Sequence, residues 1–176
     1  MKRLRFALGM VLVALFVADA AFCIYAQTKA ATTTDAKAGI EALETRYNDG
    51  FNAKNINKIM ACYAPGKGLF VFDAVPPREY PSWDAYKRDW ESLFFAYPGP
   101  ASNTISEQSL TVVGSVAYGH NIQAASFTRK DGSRVNVTVR VTDVYRKMKT
   151  GWLIVQEHVS VPVDLDTAKA DLLSKK

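Results

Sequence analysis

The chain has 176 residues, a formal net charge of +5 and 48% hydrophobic residues, a balance typical of one globular domain. No run or stripe of Lys and Arg indicates binding to nucleic acid. The sequence contains no internal repeat, and nothing in it marks a second domain.

The N-terminus has the pattern of a targeting segment. Three basic residues within the first five precede an uninterrupted apolar run over residues 6–18. This run of about 13 residues is short for a bilayer span and typical of a signal peptide. We predict a signal peptide over residues 1–26 and an exported protein, periplasmic or secreted. The alternatives are cleavage after the small residues 18–20, or an uncleaved anchor reaching Ile24, which would be the chain's membrane attachment.

Cleavage after residue 26 changes the charge and the cysteine count of the mature protein. It removes three basic residues and one acidic residue, so the net charge falls to +3. Of the two cysteines, Cys23 is lost and Cys62 remains, which excludes an intrachain disulfide in the mature chain.

Helices are predicted in the first half of the mature chain. Residues 27–37 are small and polar and indicate a flexible leader. Residues 38–52 predict an amphipathic helix, because apolar residues recur at steps of three and four: Ile40, Leu43, Tyr47 and Phe51. A shorter helix follows around residues 56–63, then a buried strand in "GLFVFDA". Ser82 can cap a third helix that reaches about Phe95.

The second half of the chain has the pattern of long antiparallel strands. We predict them over residues 104–113, 115–128, 134–147 and 152–161, the second and third joined by a turn at Asp131–Gly132. Helices followed by strands predict an α+β fold, with the helices against one face of a curved sheet.

Side-chain alternation on the last two strands predicts which residues face inward. With a turn at residues 149–151, the facing pairs are Tyr145 with Leu153, Asp143 with Val155, and Val141 with Glu157. This face is mostly apolar with two carboxylates, as expected of a pocket wall. We therefore expect Asp143 and Glu157 to point inward and His158 outward.

Two stretches, "RYNDGFNAKNINKIMACYAP" and "TDVYRKMKTGWLIVQEHVS", resemble the SnoaL-like branch of the ketosteroid isomerase and nuclear transport factor 2-like superfamily. The closing strand is also similar to the association domain of calcium/calmodulin-dependent kinase II. The resemblance implies a cone-shaped α+β barrel, with three N-terminal helices packed on a strongly curved, mostly antiparallel sheet. It places the domain at residues 38–163 and a C-terminal tail at 164–176, and it implies an enclosed pocket and a homodimer.

The resemblance also implies candidate catalytic residues. Tyr47, Asp73 and Asp143 fall at the positions of the isomerase tyrosine, its proton-shuttling carboxylate and its protonated acid. In that chemistry a carboxylate abstracts a proton next to a carbonyl, and two neutral donors stabilise the enolate. Glu157 is an alternative base or a polar pocket contact, and the remaining pocket candidates are Tyr145, Trp90 and Phe94.

Each candidate also has a structural alternative. Tyr47 could be an ordinary core tyrosine, Asp73 could cap the loop that follows it, and Asp143 could pair with Arg140 or Arg146 at the pocket rim. A metal site is not expected, because the two histidines, His120 and His158, lack ligand spacing. No cofactor is expected either, since no glycine-rich phosphate loop follows a strand.

Two functions remain open from the sequence. The first is an exported pocket domain that binds a small apolar molecule and transfers a proton next to a carbonyl, as an isomerase, cyclase or dehydratase does. The second is a non-catalytic ligand-binding or assembly module on the same fold. In either case we expect the partners to be a small apolar molecule and a second copy of the chain.

Overall fold

The computed structural model describes residues 33–174. The predicted signal peptide, and the part of the predicted leader before residue 33, lie outside these residues. Residues 33–37, which the sequence places in the flexible leader, are helical and continue into the first helix. Within the described chain, no helix is both long and apolar enough to cross a bilayer.

Within the described residues, three α-helices precede the long strands, as predicted. Helix α1 covers residues 33–52, α2 covers Ile56–Met60 and α3 covers Trp83–Ala96. The apolar stripe of α1 is buried: Ile40, Leu43, Tyr47 and Phe51. Ser82 caps α3 by accepting a hydrogen bond from Ala85 N at 3.3 Å. A 3-10 turn, Gly66–Gly68, leads from α2 towards the first strand.

Five strands form one sheet in the order β1-β5-β4-β3-β2. Their bounds are Phe70–Phe72 (β1), Ala101–Val113 (β2), Val116–Thr128 (β3), Arg134–Met148 (β4) and Gly151–Ser160 (β5). All neighbours are antiparallel except β1 and β5, which are parallel. The α+β class and the helices against a mostly antiparallel sheet are confirmed. The sheet does not close on itself, however, so the barrel is an open one.

A bulge in β5 corrects the predicted register of the last hairpin. The observed pairs are Tyr145 with Ile154, Asp143 with Glu157, and Val141 with Val159. The shift lies between Val144 and Tyr145, where Val155 is the extra residue on β5. As a result Trp152 and Ile154 are buried, although simple alternation predicts that they face outward. Glu157 is buried and His158 exposed, as predicted.

The segment predicted as a C-terminal tail contains a small hairpin. Its strands are β6 (Val163–Asp164) and β7 (Lys169–Ala170). Beyond it, the Leu172 carbonyl accepts a hydrogen bond from Thr138 N at 2.7 Å, which ties this segment to β4.

Candidate active site

A cavity of about 130 Å³ lies between α1, α3 and the inner face of β3, β4 and β5. Most of its wall is apolar: Phe51, Leu93, Ala125, Phe127, Val137, Val139, Val141 and Val159. Protein cavities of roughly 150 Å³ admit a benzene-sized molecule. The cavity therefore suits a small apolar molecule of about one ring.

Two carboxyl groups at this cavity share one tyrosine. The Tyr86 hydroxyl donates to Glu157 Oε1 at 2.8 Å, and it lies 3.3 Å from Asp73 Oδ2. The second oxygen of Glu157, Oε2, accepts a hydrogen bond from the Tyr63 hydroxyl at 2.9 Å. A phenol has only one hydrogen to donate, so the longer contact with Asp73 becomes a good hydrogen bond when Asp73 is protonated.

The surroundings of Glu157 favour its neutral form. The side chain is 2% exposed, and this burial raises its pKa to about 7, although the hydrogen bonds from Tyr86 and Tyr63 act to lower it. The ion pairs among residues 33–174 join surface side chains and include none of the cavity carboxyls. A carboxyl with a pKa near neutrality can both accept and release a proton under ordinary conditions.

Asp73 directly follows β1 and is half-buried at the cavity edge. Burial raises its pKa, and the charge of Asp89, another residue of the cavity wall, raises it further. Its Oδ1 atom accepts a hydrogen bond from Ala74 N at 2.6 Å. The expected loop contact is therefore present, and Oδ2 is the oxygen that faces Tyr86.

Tyr47 also lines the cavity, from α1. Its ring packs edge-to-face on Tyr63 and Trp90, with centroids 6.3 and 6.2 Å apart. Within residues 33–174 its hydroxyl makes no hydrogen bond, so the hydroxyl remains available to a ligand. Burial and the charge of Glu157 raise its pKa well above the ordinary value, which keeps the phenol a neutral donor.

Asp143 lies deeper than the cavity wall. It is 1% exposed and faces Glu157 across the β4–β5 ladder. Burial raises its pKa well above the ordinary value, and the charges of Glu157 and Glu44 add to this effect. Neither Arg140 nor Arg146 pairs with it, because both are exposed.

The structure divides the predicted site residues into two groups. Tyr47, Asp73, Glu157 and Trp90 line the cavity, whereas Asp143, Tyr145 and Phe94 do not. The three residues of the predicted triad therefore do not all meet at the cavity. Phe94 instead packs in the core against Trp90, with ring centroids 5.5 Å apart.

Two functional candidates are absent from the sequence predictions. Tyr86 is not selected there as a site residue, yet its hydroxyl contacts two acids. Glu44 is not selected at all, although it is 4% exposed and accepts a hydrogen bond from Tyr145 at 2.7 Å. Its position on the buried stripe of α1, one residue after Leu43 and three before Tyr47, was the available signal of a buried acid.

The described residues contain no group of three or more His, Cys, Asp or Glu side chains arranged to hold a metal ion. The polar side chains that line the cavity are three carboxyls, two phenols, one amide and one indole: Asp73, Asp89, Glu157, Tyr47, Tyr86, Gln123 and Trp90. Such a set can exchange protons and donate hydrogen bonds.

The model of the SnoaL-like domain family matches residues 40–164, most of the chain. The chain belongs to the SnoaL-like domain family. This confirms the resemblance of "RYNDGFNAKN" and "GWLIVQEHVS". No curated protein matches this SnoaL-like chain significantly by sequence.

Solved structures show the same fold. A nuclear transport factor 2-like protein of unknown function from Pseudomonas putida KT2440 is 26% identical, with a TM-score of 0.72 over 81% of this chain and 98% of that chain. A Xanthomonas campestris protein, provisionally named a calcium/calmodulin-dependent kinase II association domain, is 22% identical, with a TM-score of 0.60 over 69% and 84%. A Novosphingobium aromaticivorans protein, provisionally named a scytalone dehydratase, is 14% identical, with a TM-score of 0.68 over 82% and 92%.

Proposed function

We propose that this SnoaL-like domain is a proton-transfer enzyme acting on a small apolar carbonyl compound of about one ring. The observation that carries the proposal is the acid pair Asp73 and Glu157, joined by Tyr86 at the wall of an apolar cavity. Buried carboxyls with raised pKa values are suited to general acid–base chemistry near neutral pH.

In the proposed reaction Asp73 is the base. Its Oδ2 atom lies a long 3.3 Å from the Tyr86 hydroxyl, whereas both oxygens of Glu157 already accept hydrogen bonds of 2.9 and 2.8 Å. Asp73 removes a proton from the carbon next to the carbonyl, and the electron pair of that C–H bond moves to form an enolate. The free hydroxyl of Tyr47 donates a hydrogen bond to the enolate oxygen.

The new proton on Asp73 Oδ2 is then held by the tyrosine next to it. Protonated Asp73 donates to the Tyr86 oxygen while Tyr86 still donates to Glu157. Return of the same proton to the same carbon regenerates the substrate, and return of a solvent deuteron that has replaced it on Asp73 gives exchange. Return to the distant carbon of a conjugated dienolate gives isomerisation. The apolar wall excludes water and so strengthens these interactions.

The test is deuterium exchange of a one-ring ketone, cyclohexanone, followed by NMR in D₂O. We expect Asp73→Asn to abolish the catalysed exchange, and Tyr47→Phe to slow it by about 100-fold or more, as loss of one oxyanion donor does. The matched control is Asp166→Asn, an exposed carboxylate in the β6–β7 turn. Full activity of Asp73→Asn would remove Asp73 as the base.

A binding-only function is the second candidate. The observation in its favour is that both oxygens of Glu157 are already satisfied by Tyr63 and Tyr86, which leaves that acid a structural part of the wall. In this case benzene or cyclohexanone would raise the melting temperature without any proton exchange. Val139→Phe, which adds a ring to the cavity wall, would abolish that increase.

Export and dimerisation are further proposals, based on the N-terminal pattern and the family resemblance. N-terminal sequencing of the mature protein should begin at Gln27, and an uncleaved Met1 would exclude the predicted cleavage. Sedimentation at micromolar concentration should give a dimer, and a monomer would contradict it.

A further inference from the structure

A row of six acidic and phenolic side chains runs from the cavity through the core to the other side of α1. We call it the carboxyl–tyrosine chain; in order, its members are Asp73, Tyr86, Glu157, Asp143, Tyr145 and Glu44. Neighbours along it come from a loop, from α3, β5 and β4, and finally from α1. The carboxyl–tyrosine chain therefore joins residues that are far apart in sequence.

Both tyrosines in this chain are oriented the same way. Tyr86 lies 3.3 Å from Asp73 on the cavity side and 2.8 Å from Glu157 on the far side. Tyr145 lies 3.3 Å from Asp143 and 2.7 Å from Glu44. Each phenol hydrogen is thus directed away from the cavity, and each phenol oxygen can accept a proton from the acid on the cavity side.

The middle of the chain is a contact between two acids. Asp143 and Glu157 are directly opposite each other on β4 and β5, and Asp143 Oδ1 receives no hydrogen bond from any N–H or hydroxyl group in residues 33–174. Side chains that face each other across two strands can form a carboxyl–carboxyl hydrogen bond, which exists only when one of the acids holds a proton. A shared proton between the two acids completes the chain.

The outer end of the chain is a separate groove. Glu44 lines a polar depression of about 310 Å³ together with Glu41, Thr45 and Asn103, and none of these residues lines the cavity. Glu44 accepts a hydrogen bond from Tyr145 and shares the groove with Glu41 of its own helix. The other groups close enough to be influenced by its charge are Tyr47, Asp143, Glu157 and the Cys62 thiol. None of them is a cation, and the Arg46 guanidinium on the same helix is hydrogen-bonded to the Cys62 thiol.

We propose that the carboxyl–tyrosine chain conducts protons between the cavity and this groove, with Glu44 as its solvent-side end. A proton on Asp73 moves to the Tyr86 oxygen as the Tyr86 proton moves to Glu157. The shared proton passes to Asp143, and the same exchange at Tyr145 delivers one proton to Glu44. Both tyrosines are neutral before and after, and one proton enters for each that leaves.

In catalysis Glu44 is a positioning residue, because it acts on the substrate only through the chain. This role rests on the proposed function, but conduction does not. It can be followed without any substrate, from the infrared C=O stretch of the buried protonated acids after transfer into D₂O. Because protons can enter the carboxyl–tyrosine chain from the cavity or from the groove, the experiment must interrupt both ends.

The experiment uses Tyr86→Phe to interrupt the cavity end and Glu44→Gln to interrupt the groove end. Each single variant should exchange its buried carboxyl protons nearly as fast as the unmodified protein, through the end that remains. The double variant should exchange slower by about 10-fold or more. Glu41→Gln in the Tyr86→Phe background is the matched control, since Glu41 lies in the same groove but outside the chain.

A double variant that exchanges as fast as Tyr86→Phe alone would overturn the proposal. Should Glu44→Gln fail to fold, Tyr145→Phe breaks the neighbouring link and must give the same slowing. Failure of the proposed function is a separate result: the unmodified protein would then show no ketone exchange, while the carboxyl exchange would still depend on Glu44. If ketone exchange is retained but the carboxyl exchange does not depend on Glu44, the carboxyl–tyrosine chain is refuted as a proton path and the proposed function still stands.

Discussion

Replacement of Glu157 by Gln should change how the stability of the protein depends on pH. Burial raises the pKa of Glu157 from its ordinary value of 4.5 to about 7, so the folded protein holds this proton more tightly than the unfolded chain does. A group of this kind contributes its full stability below pH 4.5, and the contribution is lost as the pH rises through 7. Gln cannot ionise and should remove this dependence.

The size of the effect follows from the two pKa values. The difference between about 7 and 4.5 corresponds to about 3 kcal/mol in the free energy of unfolding. Gln keeps the shape of the side chain but cannot accept hydrogen bonds from both Tyr63 and Tyr86, which costs about 1 kcal/mol. We therefore expect Glu157→Gln to be about as stable as the unmodified protein at pH 5, where part of the Glu157 contribution is already lost, and more stable by about 2 kcal/mol at pH 8.

The measurement is urea-induced unfolding of both proteins at several values between pH 5 and 8, with equal slopes as the check on two-state behaviour. Asp166→Asn is the control, and its stability should follow that of the unmodified protein at every pH. Asp143, Glu44 and Asp73 also have raised pKa values and remain in both proteins. If the two curves stay parallel from pH 5 to 8, Glu157 does not titrate between the folded and unfolded states and the reasoning fails.

Three further predictions, one of them with a paired control substitution, test the cavity, the sheet and the acid cluster. Val139→Phe should block ligand-induced stabilisation with the fold retained in its circular dichroism spectrum; an unchanged ligand response would place the binding site elsewhere. Gly119→Ala should cost on the order of 1–3 kcal/mol in urea unfolding, because the added Cβ would lie 2.6 Å from the Ser109 carbonyl oxygen. Gly68→Ala, with its nearest contact at 3.5 Å, should cost much less, and equal losses would contradict this explanation. Tyr63→Phe removes a hydrogen bond that lowers the pKa of Glu157, so the pH at which stability falls should move upward; a downward shift would be inconsistent with the geometry.

The helices and strands could be predicted because their signals are local. The apolar stripe of α1 repeats every three or four residues, and β5 is a run of strand-forming residues after a glycine turn. The register of β5 could not be predicted in this way. The bulge at Val155 shifts the pairing, so that Asp143 faces Glu157 and both Trp152 and Ile154 enter the core. Simple alternation does not include such an extra residue.

The candidate site was only partly predictable for a related reason. The sequence directs attention to Asp73, Tyr47 and Glu157, which do line the cavity, but it selects neither Tyr86 nor Glu44 as a site residue. A tyrosine on a buried helix face looks the same in sequence whether its hydroxyl meets water or a carboxyl group. Its partner here is 71 residues away in the chain, and only packing brings the two together.

The sequence by itself determined the family, the α+β order of elements and the inward direction of Glu157, because each depends on residues close together in the chain. The tertiary structure decided which acids meet, and in what order they alternate with tyrosines. Contacts such as Glu44 with Tyr145 span 101 residues and depend on how α1 lies against the sheet. The pKa values of these acids depend on the same packing, because removal from water is the first cause of every raised value in the group.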